Sequence, residues 1–533
     1  MNTNTGSSIA FVKRGALWPV CGCLAALAAC EQSPPPASAA REAVPTSCES
    51  LASIALPDTT VTTAELVPAG AFVPPGAAGA PPGQPSPSYA GLPAFCRLAA
   101  TVSPVPDSAI KLEVWLPAEG WNGKFVAVGN GGFAGAIFHF AMVEPLLRGY
   151  AVAATDTGHE GGAADASFAV GHPEKLVDFG WRAVHEMTVK SKAIVAAHYA
   201  APARRSYWLG CSSGGRQGLK EAQRFPEDYD GISAGAPANN WVPLMAHSAK
   251  IQRLMTDPEG GLAPPQLGLL KEAAIAACDA RDGVTDRVVE EPQACGFDPA
   301  ALQCATDAAP SCLTPRQVET ARSIYAGVVD TRTGETIFPG PTPASEPAWF
   351  AYTPSAFPIG ANYWRDHVFG DPNWDLATLD FTADVARARS MDTADVTTTD
   401  PDLKDFVARG GKLLLWHGWT DGLISAQNSI DYYQDVLATT GAETVKDSVR
   451  LFMVPGVDHC SGGEGTFVMD ALGVIDAWVE GGEAPERIVA SRPLPDGAQR
   501  TRPLCPYPQV ARYRGAGSTD DAANFQCAAP SAR

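Results

Sequence analysis

The stretch S-Y-W-L-G-C-S-S-G-G-R-Q-G, residues 206–218, constrains this chain more than any other. Tyr207, Trp208 and Leu209 have strand character and run into Gly210-Cys211-Ser212-Ser213-Gly214, and a helix-like segment from Arg216 to Phe225 follows. G-x-S-x-G between a strand and a helix puts its serine on a sharp turn at the carboxyl end of a central strand, hydroxyl outward. Glycines on both sides let neighbouring backbone pass where a side chain would block it. The helix amino terminus behind Ser212 favours negative charge developing there.

Such a turn needs a sheet around it, and the chain supplies one. Apolar, β-rich runs occur at Lys111–Leu116, Phe125–Gly129, Tyr150–Thr155, Ser206–Leu209, Gly231–Ala234, Lys412–Trp416 and Val449–Val454. Helical patterns fall at His185–Tyr199, Arg216–Phe225, Ala426–Leu437 and Gly465–Val479. This alternation implies a mostly parallel sheet covered on both faces. Residues 48–105, with Pro and Gly crowded between Pro68 and Pro87, read as irregular. The alternation also breaks between 239 and 401, a stretch with four cysteines, an acidic loop and several aromatics. At 533 residues the chain exceeds one ordinary core. The expected division is a catalytic domain of residues 48–238 and 402–533, with residues 239–401 inserted as a lid.

The amino terminus bears on compartment. Lys13 and Arg14 precede an apolar run from Gly15 to Ala29 that ends Leu27-Ala28-Ala29-Cys30. A charged start, a short apolar stretch and small residues before the cut form a signal-peptide pattern over residues 1–29, too short to span a bilayer stably. L-A-A-C resembles a bacterial lipobox, which would make Cys30 a lipidated new terminus, and residues 30–47 suit a flexible tether. The expectation is an exported bacterial protein, periplasmic or an outer-membrane lipoprotein, attached to membrane only through Cys30. A formal charge of −19 argues against nucleic acid as a partner. Thirteen cysteines less Cys21, Cys23 and Cys30 leave ten, an even number that implies disulfides in an exported chain.

A serine nucleophile needs a histidine base, and the base needs an acid that fixes its tautomer. In α/β-hydrolase order these follow as Ser, Asp or Glu, then His. Lys412–Trp416 leads into His417-Gly418-Trp419-Thr420-Asp421, and Val449–Val454 leads into Pro455-Gly456-Val457-Asp458-His459-Cys460. Asp421 and His459 therefore sit past the carboxyl ends of strands, on the rim where ligand-facing groups collect. Asp458 is the rival acid, disfavoured because a sequence neighbour points its side chain away; His417 is the rival base. Cys211 precedes Ser212 and Cys460 follows His459, so hydrogen bonding between Ser212 and His459 would bring the two cysteines within disulfide reach, about 4.4–6.8 Å between Cα atoms.

Gly129-Asn130-Gly131-Gly132-Phe133 follows another strand, and a glycine-rich turn there can aim a backbone N–H at a forming oxyanion. The expected donors are Gly132, with Gly131 as the alternative, and Ser213. Cys278-Asp279-Ala280-Arg281-Asp282-Gly283-Val284-Thr285-Asp286-Arg287-Val288 gathers three aspartates about a glycine turn beside a cysteine. Hard oxygens so grouped suit calcium, although the spacing is not that of an EF-hand, and the same residues suit an acidic solvated turn.

G-C-S-S-G-G-R-Q-G, G-N-G-G-F, H-G-W-T-D and D-H-C together resemble the tannase/feruloyl esterase family, which also includes a bacterial mono(2-hydroxyethyl) terephthalate hydrolase. The resemblance covers nearly everything after the leader. It implies an α/β-hydrolase core with a large lid and hydrolysis of small aromatic esters, hydroxycinnamoyl or galloyl in type. It implies Ser212, Asp421 and His459 as catalytic residues joined by Cys211–Cys460. It further implies a structural calcium ion in the lid, held by Asp279, Asp282 and Asp286 side chains and by Val284 and Val288 backbone oxygens. The other implied pairs are Cys48–Cys96, Cys278–Cys295, Cys304–Cys312 and Cys505–Cys527. Tyr363, Trp364, Phe369 and Trp374 are candidates to stack an aromatic acyl group. A terephthalate half-ester hydrolase, a non-catalytic calcium-dependent binding lipoprotein and a peptidase on the same fold are the competing readings.

Overall fold

The computed structural model describes residues 44–75, 88–305 and 311–531. The leader, Cys30 and most of the tether lie outside the described residues. Among the described residues no helix is long and apolar enough to cross a membrane.

Nine strands form the main sheet: Thr59–Val67 (β1), Phe95–Val102 (β2), Ile110–Pro117 (β3), Lys124–Val128 (β4), Ala151–Thr155 (β5), Arg205–Cys211 (β6), Gly231–Gly235 (β7) and, after the short hairpin Val328–Val329 (β8) and Thr336–Phe338 (β9), Lys412–Gly418 (β10) and Val449–Val454 (β11). Their order is β1-β2-β3-β5-β4-β6-β7-β10-β11. The pairs from β1 through β3 to β5 are antiparallel, and every pair from β5 to β11 is parallel. Strand order reverses at β4, which lies between β5 and β6, so the loops after β4 and β6 open at a topological switch point, where open α/β sheets bind ligands.

The strands read as apolar runs because both of their faces are buried. On one face Trp208, Ile232, Leu413 and Leu415 pack with Leu219 and Ile194 from the helices Ser213–Arg224 and Ala183–Tyr199. On the other, Tyr207, Val126 and Leu414 pack with Met142 and Trp478 from the helices His139–Leu147 and Ala471–Gly481. Burying each such side chain stabilises the fold by about 1.5–3 kcal/mol.

Two expectations need correction. Residues 48–105 are not irregular throughout: T-T-V-T-T-A-E-L-V and F-C-R-L-A-A-T-V form β1 and β2, paired in antiparallel register with a bulge at Thr62. The intervening Pro- and Gly-rich connection hid the period-2 pattern. The helix expected from Gly465 begins only at Ala471, where Asp470 accepts the Gly473 N–H as its cap. Val468 before it pairs with Ser491, and the tail beyond forms Ile488–Pro493 (β12) with Gln499–Leu504 (β13), and Val510–Tyr513 (β14) with Phe525–Ala528 (β15).

Residues 239–401 build around the helices Trp241–Met255, Pro264–Cys278 and Pro315–Tyr325. Their apolar residues share a cluster with Phe133, Ala166 and Phe179, which come from the loops and helix beside β4 and β5. The inserted segment therefore packs directly on the glycine-rich turn after β4. Trp364 belongs to this core: it is fully buried and donates from Nε1 to the Met245 carbonyl, 3.1 Å. Tyr363 is buried beside it, and Phe369 stacks on Trp374, 4.9 Å between centroids. This quartet is spent on holding the inserted segment together, so Trp364 has no face left for a ligand.

Candidate active site

Ser212 stands between β6 and the helix Ser213–Arg224 with φ 63° and ψ −125°, a left-handed backbone that a non-glycine residue adopts only under surrounding constraint. The constraint is visible. Ser212 N donates to Gly235 O at 3.0 Å, and Ser212 O accepts from Ala238 N and Arg216 N, each at 3.0 Å. The turn is tight enough that a Cβ on Gly210 would lie 2.3 Å from Gly214 O, which is why glycine stands there. Trp208 Nε1 donates to Gly214 O at 2.9 Å, fastening the helix start to the strand.

Asp421 is fully buried after β10 and accepts four hydrogen bonds. Leu423 N and Ile424 N reach Oδ1, each at 2.9 Å; His459 Nδ1 reaches Oδ2 at 2.7 Å and His417 Nε2 the same oxygen at 3.1 Å. Burial alone would push this carboxyl up, but the two imidazoles and their hydrogen bonds outweigh it and hold Asp421 well below the usual carboxylate range. A carboxylate only accepts, so His459 carries its hydrogen on Nδ1 and keeps an Nε2 lone pair, the tautomer a general base needs. The side chain of His459 is 20% exposed, so it is open to a ligand from one side.

The rival groups have other partners. Asp458 accepts from Thr420 Oγ1 at 2.9 Å, and burial pushes its carboxyl up to about 6. His417 is fully buried. Its Nε2–H faces Asp421 Oδ2 and Ile424 O, so its Nδ1 accepts from Ser429 Oγ, 2.7 Å away. His417 thus buttresses Asp421 at the same oxygen that His459 binds.

A disulfide joins Cys211 to Cys460 with 6.0 Å between their Cα atoms, holding the residues adjacent to Ser212 and His459 on neighbouring backbones. The structure also contains Cys48–Cys96, Cys278–Cys295, Cys304–Cys312 and Cys505–Cys527.

The turn after β4 reaches the same place. Gly132 has φ +58°, and a Cβ on it would lie 2.1 Å from Ala163 O. Its carbonyl accepts from Ser213 Oγ at 2.6 Å, so the turn is tied to the residue that follows Ser212. Phe133 N and Ala134 N are bound to Ala163 O and Gly131 O. Ser213 opens its helix, where the first amides lack intrahelical acceptors.

Three buried polar residues that motif reading passed over lock these parts together. Gln217 Nε2 donates to Asn130 Oδ1 at 2.7 Å, and Asn130 Nδ2 donates to Thr155 O at 3.1 Å, joining helix, turn and β5. Arg216, fully buried, donates to Gly180 O, Phe179 O and, from the inserted segment, Val396 O. Polar residues in a helix so rich in small residues were the available signal, since a buried Arg or Gln must have partners.

In the acidic loop, Asp279 accepts from Asp286 N and Arg287 N, shaping the backbone, and Asp282 accepts from Val284 N. Asp286 pairs with Arg500 and Arg502. Asp282, Asp286, Val288 and Glu290 line a cavity of about 20 Å³, enough for one small occupant. Burial, with Asp286 and Asp279 nearby, pushes Asp282 up to about 6, and burial pushes Glu290 up to about 8. Arg500 and Arg502 line the same cavity and take up part of the Asp286 charge, and the grouped carboxylate and backbone oxygens of the loop fit a hard cation. The Asp279 carboxylate, which accepts from Asp286 N and Arg287 N, lies in the same loop.

The fold is that of an α/β-hydrolase, with Ser212, Asp421 and His459 gathered at the carboxyl rim of its sheet. The Tannase and feruloyl esterase family model matches residues 96–528. The chain belongs to that family, and it is a carboxylic ester hydrolase. It is 38% identical to an uncharacterized esterase of Xanthomonas campestris pv. campestris, over 90% of this chain and 91% of the relative. It is 34% identical to the mono(2-hydroxyethyl) terephthalate hydrolase of Piscinibacter sakaiensis, over 83% and 86% respectively. Among solved structures, feruloyl esterase B from Aspergillus oryzae aligns with TM-score 0.82 at 32% identity, covering 90% of this chain and 99% of that one.

Proposed function

We propose that this protein hydrolyses aromatic carboxylic esters through an acyl-enzyme on Ser212. His459 Nε2 takes the Ser212 proton as Oγ attacks the ester carbonyl. The Gly132 and Ser213 N–H groups hold the oxyanion. His459 then protonates the leaving alcohol, and water, activated by the same imidazole, releases the acid. Asp421 fixes the imidazole tautomer and stabilises the imidazolium. The observation that carries this reading is the 2.7 Å bond from His459 to buried Asp421, with Cys460 bridged to the residue before Ser212.

The inserted segment 239–401 acts as the lid, and a calcium ion would be held by the side chains of Asp279, Asp282 and Asp286 with the backbone oxygens of Val284 and Val288. Calcium supplies charge neutralisation and rigidity there and no step of acyl transfer. Export, with a lipid on Cys30, follows from the leader pattern. Relatives named as feruloyl esterases and as a terephthalate half-ester hydrolase favour an aromatic acyl group. A panel of methyl ferulate, methyl gallate, chlorogenate and mono(2-hydroxyethyl) terephthalate tests this, with turnover of at least one expected to exceed that of an aliphatic ester. No turnover of any, with a nitrophenyl ester control also inert, would overturn it in favour of a binding role.

A further inference from the structure

Glu221 lies nine positions after Ser212, roughly 13 Å along the same helix, at the far end from the ester site. It is 1% exposed, and neither of its carboxylate oxygens has a hydrogen-bond donor. Asp228, 4% exposed, and His185 face it. His185 Nδ1 is 2.7 Å from Asp228 Oδ2, and one ligand atom from each of the three residues lies within 4.8 Å of the other two. Ligands bound at about 2.0–2.2 Å to one tetrahedral ion sit about 3.3–3.6 Å apart, so side chains within 4.8 Å of one another need draw in by only about 1 Å to coordinate.

Asp228 has cationic partners in Lys192 and His185, whereas among the described residues no ion pair reaches Glu221. Lys192 Nζ is 4.0 Å from Asp228 Oδ1 and also donates to the Asp228 carbonyl. The Tyr229 hydroxyl is bound to Thr188 and is not turned to Glu221. A buried carboxyl group with no hydrogen-bond donor to either oxygen is costly. Phe225 stacks on His185 at 3.8 Å and 13°, which fixes the ring with Nδ1 toward the carboxylates. A cation at this end of the helix would also complement its macrodipole.

We infer that His185, Glu221 and Asp228 form a second cation site, for a zinc-class divalent ion, separate from the acidic loop of the lid. One imidazole nitrogen with two carboxylate oxygens is a borderline donor set that suits Zn²⁺ over Ca²⁺. On binding, His185 carries its hydrogen on Nε2 and frees Nδ1; its side chain is 25% exposed, so solvent can exchange that proton. The ion joins the helices Ser213–Arg224 and Ala183–Tyr199 to the loop before β7. It takes no part in acyl transfer, and its role is to hold the helix behind Ser212.

The test is equilibrium dialysis of the full chain against Zn²⁺ in calcium-saturated buffer, with elemental analysis, and Co²⁺ as a visible-absorbing substitute. The expected result is one zinc retained per chain in the wild type and none in either His185→Gln or Glu221→Gln, each with an unchanged circular dichroism spectrum. Cobalt should give a visible band that both substitutions abolish. Retention of no zinc by the wild type would overturn the proposal, whether or not the variants fold. So would undiminished retention by both variants. No zinc in the wild type together with a higher melting temperature for Glu221→Gln would identify a buried proton-sharing pair in its place.

Discussion

Removing the Cys211–Cys460 bridge by Cys211→Ala with Cys460→Ala separates two effects that the structure combines. The bridge closes a loop with a sequence separation of 249, and two nested bridges take spans of 17 and 8 out of that loop. The chain-entropy relation then gives about 5 kcal/mol of stabilisation. Unfolding entropy of about 2.1 cal/mol/K per residue amounts to about 1 kcal/mol/K over a body of this size, so the melting temperature should fall by only about 5 °C. The catalytic effect has a different origin. The bridge fixes two backbones whose side chains must stay within about 2.6–3.2 Å of each other during proton transfer. A shift of about 1 Å there can cost about a hundredfold in rate. The double variant should therefore lose about a hundredfold in kcat at temperatures where circular dichroism shows it folded. Turnover would be measured with a nitrophenyl ester and normalised to the folded fraction. An unchanged kcat in folded protein would refute the reasoning and leave the bridge as a staple of the fold alone.

Asp421→Asn should lower kcat by about 10³–10⁴-fold because the amide no longer selects the Nδ1–H tautomer of His459, whereas Asp458→Asn should cost less than about tenfold, both read by steady-state kinetics. Glu113 is buried, and although burial opposes its ionisation, His139 and Arg97 hold it down at about 2. Its contribution, about 3 kcal/mol in order of magnitude, is present above its unfolded value near 4.5 and is lost as pH falls through about 2. Glu113→Gln should accordingly destabilise the protein at neutral pH and flatten its acid limb in denaturant titrations. Calcium removal by chelation should lower the melting temperature, with activity following lid order; re-adding calcium, but not zinc, should restore both, and protein that holds no calcium after dialysis against it would contradict this.

Much of this arrangement was readable from local pattern. Ser212, Asp421 and His459 each follow a run of residues buried on both faces, so strand ends and loop contents were legible together. Cys211 and Cys460 reported on distance, which sequence seldom does. What was hidden depends on tertiary partners. His417 became a rival base because composition does not show the turn that brings Asp421 and Ile424, four and seven residues on, to its Nε2, nor the helix that brings Ser429 to its Nδ1. Asn130 and Gln217 are 87 positions apart and become a pair only once β4 and β6 are neighbours. The four aromatics from Tyr363 to Trp374 suited a substrate pocket in composition, but the inserted segment needs a core of its own and uses them for it. Asp458, beside His459, was separable from Asp421 only by where adjacent side chains point.

Ser212 is the proposed nucleophile, and covalent labelling tests that most directly. Diethyl p-nitrophenyl phosphate should release one nitrophenolate per chain, abolish esterase activity in step, and leave a diethylphosphoryl group that tandem mass spectrometry places on Ser212. Ser212→Ala should release none. Label on Ser213 or elsewhere, or esterase activity that survives full labelling, would contradict the account.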